Sequence, residues 1–185
     1  FLIGSSTGGP DAVEQVMSEL PGGDCRVIIT QHMPEAFTAR FADRLDDASR
    51  YDVQEATDGA RIGAGEALVA RGGCHMEITG YSNGRIRVGL IDDDLGLSVN
   101  PAVNVTMESA AETITDPMTG VILTGMGSDG ADGICAIQEA GGLTVAQDEA
   151  SCVIYGMPKR AVEAGCVDEV RSLNDIATTI RELVP

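Results

Sequence analysis

Short apolar runs and amphipathic stretches alternate along the chain. Phe1-Leu2-Ile3 reads as a strand, and a Gly-rich turn leads from it to Pro10. From Pro10 to Leu20, Ala12, Val13, Val16, Met17 and Leu20 recur at the spacing of a helix with one buried face. Pro10 suits the first helical turn and Gly22-Gly23 closes the element. Val27-Ile28-Ile29-Thr30 predicts a buried strand, and Phe37, Phe41 and Leu45 a second helix. From Val53 to Ile91 the pattern changes to strands with no helix between them. Asn83-Gly84, between Met76-Ile78 and Ile86-Val88, predicts a two-residue hairpin. Helical spacing returns with Val103, Met107, Ala110 and Ile114. It is followed by a strand at Val121-Thr124, a helix from Gly130 to Ala140, a strand at Leu143-Val145, and a closing helix carrying Leu173, Ile176, Ile180 and Leu183.

Strand and helix in alternation predict an α/β fold: a three-layer, doubly wound, mostly parallel sheet with one antiparallel hairpin excursion. No repeat, low-complexity segment or linker interrupts the 185 residues, so a single domain spanning 1–185 is expected. Phe1-Leu2-Ile3 has the look of a strand lacking its beginning, which predicts that the chain is a piece of a longer protein.

Charge narrows the function. Against 29 acidic residues stand 12 basic ones, of which Lys159 is the one lysine, for a formal charge of -17. Such a surface repels phosphate backbones and anionic lipid, so neither nucleic acid nor membrane is an expected partner. Self-repulsion of this size also predicts a fold adapted to concentrated salt. No apolar run is long enough for a membrane span. The five cysteines (Cys25, Cys74, Cys135, Cys152, Cys166) are odd in number and widely spaced. They read as small buried hydrophobes in a reducing, cytoplasmic setting, not as a disulfide framework or a zinc site.

In doubly wound sheets the chemistry sits beyond the carboxyl ends of the strands. After the first strand comes Gly4-Ser5-Ser6-Thr7-Gly8-Gly9, a G-x-S-x-G match that presents Ser6 as a nucleophile before a helix. A phosphate-cradling turn is the competing reading. Serine needs a base, and of the two histidines His32 directly follows the second strand, which a crossover places beside the first. His75 enters the hairpin region instead. Asp129, in Gly125-Met126-Gly127-Ser128-Asp129-Gly130 after the strand ending at Thr124, is the candidate to orient the base, though an N-capping role fits the same position. That segment is also a literal G-x-G-x-x-G, with Asp148 and Glu149 about twenty residues on, so a dinucleotide-binding module is the alternative function. Against it, Asp129 would stand where a pyrophosphate must dock.

Taken together, these motifs resemble the catalytic domain of the chemotaxis protein-glutamate methylesterases, nearly from end to end. The resemblance rests on Ile3 to Pro10, Gln31-His32-Met33-Pro34, Arg71 to Met76 and Leu123 to Gly130, and continues through Ala146 to Ser151 and Tyr155-Gly156-Met157-Pro158. It implies Ser6 as nucleophile, His32 as base and Asp129 as orienter. Met126 would supply a backbone oxyanion donor, with Thr7 and Gly8 beside it. The implied activity is hydrolysis of glutamate γ-methyl esters on the cytoplasmic helical region of chemoreceptors, with glutamine deamidation as a second activity and no metal or organic cofactor. It further implies an upstream receiver domain that masks the site. Arg71 stands where a proline is usual and Asn100 where an arginine is common, and the second difference bears on receptor docking.

Overall fold

The computed structural model describes residues 1–92 and 95–183. Strand β1 (Leu2–Ser5) is buried at all four positions, as a run without polar alternation requires when both faces are covered. It leads into α1 (Gly9–Glu19), β2 (Val27–Gln31), α2 (Glu35–Ala48) and β3 (Asp52–Glu55). Then come β4 (Arg61–Ile62), β5 (Glu66–Val69), β6 (Cys74–Ser82) and β7 (Arg85–Asp92), followed by α3 (Val103–Thr113) and β8 (Thr119–Ile122). The chain ends through α4 (Ala131–Glu139), β9 (Leu143–Gln147), α5 (Met157–Glu163), β10 (Glu169–Arg171) and α6 (Leu173–Leu183).

Seven strands form one sheet in the order β10-β9-β8-β1-β2-β5-β3, and β4-β7-β6 form a second. Every pairing in the large sheet is parallel. Alternate residues feed two cores: Ile3, Ile29, Val69 and Leu123 face α1, α2 and α6, while Leu2, Ile28, Leu68 and Ile122 face the layer of α3, α4 and α5. The small sheet joins the second core through Met76, Ile78 and Val88, which cluster with Val103 and Met107 of α3. Asn83 (φ 51°) and Gly84 (φ 70°) make the expected tight turn between β6 and β7.

The structure fills in the expected architecture at two places and corrects one reading. The helix-free region is not wholly an excursion: β3 and β5 belong to the parallel sheet, and only β4, β6 and β7 run antiparallel. The apolar run Ala67-Leu68-Val69 is buried on both faces, which is the signature of a central parallel strand whatever connects to it. Two elements, α5 and β10, are new. Each is short, and β10 exposes its only large apolar side chain, Val170, so neither leaves a periodic trace. Finally, Cys135 and Cys166 are joined in a disulfide, with Cα atoms 4.9 Å apart, leaving Cys25, Cys74 and Cys152 as thiols. Packing of α4 on α5 brings together two cysteines 31 residues apart, a closeness that spacing along the chain does not signal. The expected apolar contribution of Leu183 falls on a side chain outside the described residues.

Candidate active site

Strands β1 and β2 are paired with Ser5 opposite Gln31, so Ser6 and His32 leave the sheet side by side. The His32 amide donates to the Ser5 carbonyl at 3.0 Å, extending the ladder by one rung. On its other side β1 pairs with β8, and the Ser6 amide donates to the Thr124 carbonyl at 3.0 Å. Connections wind outward in opposite directions from β1 and β8, which makes this the crevice where doubly wound sheets place ligands. Gly8, at φ 78°, takes the left-handed turn that starts α1. Among the described residues Asn83 is the only non-glycine with positive φ, so Ser6 is presented without the strained conformation of an α/β-hydrolase elbow.

His32 and Asp129 meet directly: the imidazole Nε2 lies 2.6 Å from Asp129 Oδ2, and the two side chains are only 12% and 13% exposed. Asp129 does more than face His32. Its Oδ2 accepts the Val103 amide at 2.6 Å and its Oδ1 accepts the Asn104 amide at 3.0 Å. These are first-turn N–H groups of α3, which have no partner within their own helix and sit at its positive end. Burial pushes the carboxyl group's pKa up, but the hydrogen bonds from His32, Asn104 and Val103 outweigh it and hold the pKa below the ordinary Asp value. The result is a carboxylate held in its charged form and bonded to the imidazole through Nε2, with Nδ1 the ring nitrogen turned away from it. Chymotrypsin-type triads use the two ring nitrogens the other way round.

Met126 follows β8 and is 71% exposed, while its backbone lies under Gly156. A Cβ at Gly156 would fall 2.6 Å from the Gly125 carbonyl oxygen and 3.1 Å from Met126 Cα, so only glycine lets these segments lie together. Thr7 is exposed, and its carbonyl accepts the Thr124 hydroxyl at 3.0 Å. Thr124 in turn receives the Ile154 amide on its hydroxyl at 3.0 Å and donates its own amide to buried Gln147 at 2.8 Å. The candidate oxyanion donors thus stand on loops that are tied to one another. Beside them a cleft of about 270 Å³ is bordered by His32, Leu97, Asn104, Met126 and Asp129. A wider depression of about 560 Å³ over α1 and α2 is lined by groups such as Arg40, Asp43 and Asp47, none of them an activated nucleophile.

His75 is not part of this cluster. It is fully buried in β6, where its Nδ1 accepts the Ala102 amide at 3.1 Å just before α3. The dinucleotide alternative fails on the loop itself. The Gly130 and Gly133 amides, which would greet a phosphate, already donate to Asn104 Oδ1 at 2.8 and 2.9 Å. Asp148, the would-be ribose ligand, accepts the Ser151 amide and hydroxyl on its Oδ1. Arg71 pairs with Glu35, and the Asn100 side-chain oxygen is buried rather than turned outward. Sequence reasoning missed Val103, Asn104 and Gln31. For the first two the signal was the start of a helix at Val103, but nothing along the chain says which carboxylate that start would hold.

Comparison with known proteins follows the same lines. Residues 1–180 match the CheB methylesterase family. A protein-glutamate methylesterase/protein-glutamine glutaminase of Haloarcula marismortui is 61% identical over 185 residues, covering 100% of this chain and 50% of that protein. One of the same name from Halobacterium salinarum is 56% identical, covering 100% of this chain and 53% of its own length. The chain therefore spans about half the length of these curated relatives. A crystal structure of the Thermotoga maritima CheB methylesterase catalytic domain superposes with a TM-score of 0.92 at 38% identity, covering 99% of this chain and 97% of that one. The family match spans nearly the whole chain, and the fold recurs in a solved catalytic domain covered from one end to nearly the other: this chain belongs to the CheB methylesterase family.

Proposed function

We propose that this chain is the catalytic domain of a protein-glutamate methylesterase that also deamidates glutamine, acting by a Ser6-His32-Asp129 triad. The observation that carries the reading is the 2.6 Å contact of His32 with Asp129, formed where β2 delivers His32 alongside Ser6. Ser6 Oγ attacks the γ-ester carbonyl carbon while His32 Nδ1 takes the hydroxyl proton; Asp129 stabilises the imidazolium. The Met126 amide, with those of Thr7 and Gly8, holds the oxyanion, one such donor being worth about 3–4 kcal/mol of barrier. Collapse expels methanol, which receives the proton from His32, and leaves a γ-glutamyl ester on Ser6. Water, deprotonated by His32, cleaves that ester to give a glutamate carboxylate and restores Ser6. A glutamine side chain follows the same path with ammonia as leaving group.

The names of the relatives support this substrate class. The partners we assign are the methylated cytoplasmic helical region of chemoreceptors and a receiver domain in the same protein, so the site works in the cytoplasm. Among the described residues no helix is long and apolar enough to cross a membrane. Methanol release from methylated receptor, followed in the native protein and in Ser6→Ala, tests the proposal. The expected loss is roughly 10⁶-fold, in line with removal of a group from a triad acting as a unit. Turnover retained by the Ser6 variant would overturn it.

A further inference from the structure

Gln31, the last residue of β2, is 2% exposed, so its amide must find all its partners inside the protein. Its Oε1 accepts the hydroxyl of Ser5, itself fully buried, at 2.6 Å. That bond decides which way the amide faces and turns Nε2 toward the strand ends. Nε2 then spends its two hydrogens on two carbonyl oxygens, Ser6 at 3.0 Å and His32 at 2.9 Å. One side chain therefore ties the peptide after the nucleophile to the peptide after the base. The sheet ladder stops at the His32 amide and the Ser5 carbonyl, and Gln31 adds a rung past that point. Room for it exists because residue 9 is glycine: a Cβ there would overlap Gln31 Oε1 and lie 2.8 Å from Ser5 Oγ.

We propose that Gln31 is a positioning residue for ester hydrolysis, holding the Ser6 and His32 backbones at the spacing that lets Oγ deliver its proton to Nδ1. The inference rests on the reading of Ser6 as nucleophile and His32 as base. Gln31 touches no reacting atom. Its effect falls on the geometry of attack, where a displacement of about 1 Å can cost about 10²-fold in rate. Gln31→Met keeps the shape and loses all three bonds. Gln31→Glu keeps the Ser5 bond but sets a carboxylate against two carbonyl oxygens.

The test compares kcat, KM, the rate at which a fluorophosphonate labels Ser6, and melting temperature in the native protein and these variants. Both are expected to lose about 10²-fold in kcat and in labelling rate, with KM changing by less than about twofold. Thr144→Val is the control for stability alone: it removes a buried hydroxyl bonded to Asp168 in β9, and kcat is expected to stay near the native value. Gln31→Met that melts lower, as the control does, yet keeps native kcat overturns the inference and leaves the esterase reading standing. A native protein that fluorophosphonate does not label at Ser6 overturns that reading, and the role of Gln31 with it. Should both Gln31 variants fail to fold, Ser5→Ala, which removes only the hydroxyl that sets the amide's direction, is expected to lower kcat by about tenfold; native kcat there overturns the inference.

Discussion

The Asp129 carboxylate lies 2.6 Å from the Val103 amide, so the group bonded to His32 is itself held by the start of a helix from another part of the chain. Gly4 permits this approach: a Cβ there would overlap the Val103 side chain, and without it α3 could not bring its first turn down onto β1. The charge of Asp129 is stabilised from two directions, by His32 on one side and by two α3 amides on the other.

Asp129→Asn should therefore damage activity through the tautomer of His32. With the amide oxygen at the Oδ1 position, accepting from Asn104, the NH₂ stands at the Oδ2 position against Nε2 and the Val103 N–H; Nε2 must then accept, and the ring proton moves to Nδ1. His32 can no longer take the Ser6 proton. The expected loss in kcat is up to about 10⁴-fold, with ester binding little changed. Steady-state kinetics checks this, and a variant within tenfold of native would remove the tautomer account.

Stability should fall in acid through the same residue. Because the folded protein holds the Asp129 pKa below its unfolded value, the carboxylate contributes stability above the usual Asp range of about 4, and that contribution disappears as pH drops through the lowered folded value. Melting temperatures between pH 3 and pH 7 are expected to fall more steeply for the native protein than for Asp129→Asn. Parallel curves would contradict the sign of the shift.

Gly156→Ala is expected to separate catalysis from binding. The added methyl meets the Gly125 carbonyl and the Met126 backbone, displacing the proposed oxyanion donor without touching His32 or Asp129. Loss of one donor corresponds to about 10²–10³ in kcat. Deacylation should slow along with acylation, since both pass through an oxyanion. Burst kinetics on an activated ester measures each phase, and an effect confined to KM would place the donor elsewhere.

The formal charge of -17 predicts a salt response of the whole fold. Screening weakens the repulsion between exposed carboxylates, so melting temperature should rise from about 0.1 M to about 2 M KCl. A flat response would mean that the acidic surface costs the folded state little.

Local pattern was enough for most of the scaffold. Val27-Ile28-Ile29-Thr30 and the helix from Pro10 to Leu20 declare themselves because a buried strand and a one-faced helix impose their own periods on neighbouring residues. The placement of Ser6 beside His32 was legible for a related reason: both stand one step past a strand, and parallel neighbours deliver such positions to the same edge. What lies across the fold left no comparable mark. The helix start that holds Asp129, the Gln31 bridge and the Cys135–Cys166 bond all join residues 25 or more positions apart. A hydrogen bond or a sulfur–sulfur bond is set by distance in space. Periodicity along a chain records which face a residue buries, not what it meets there.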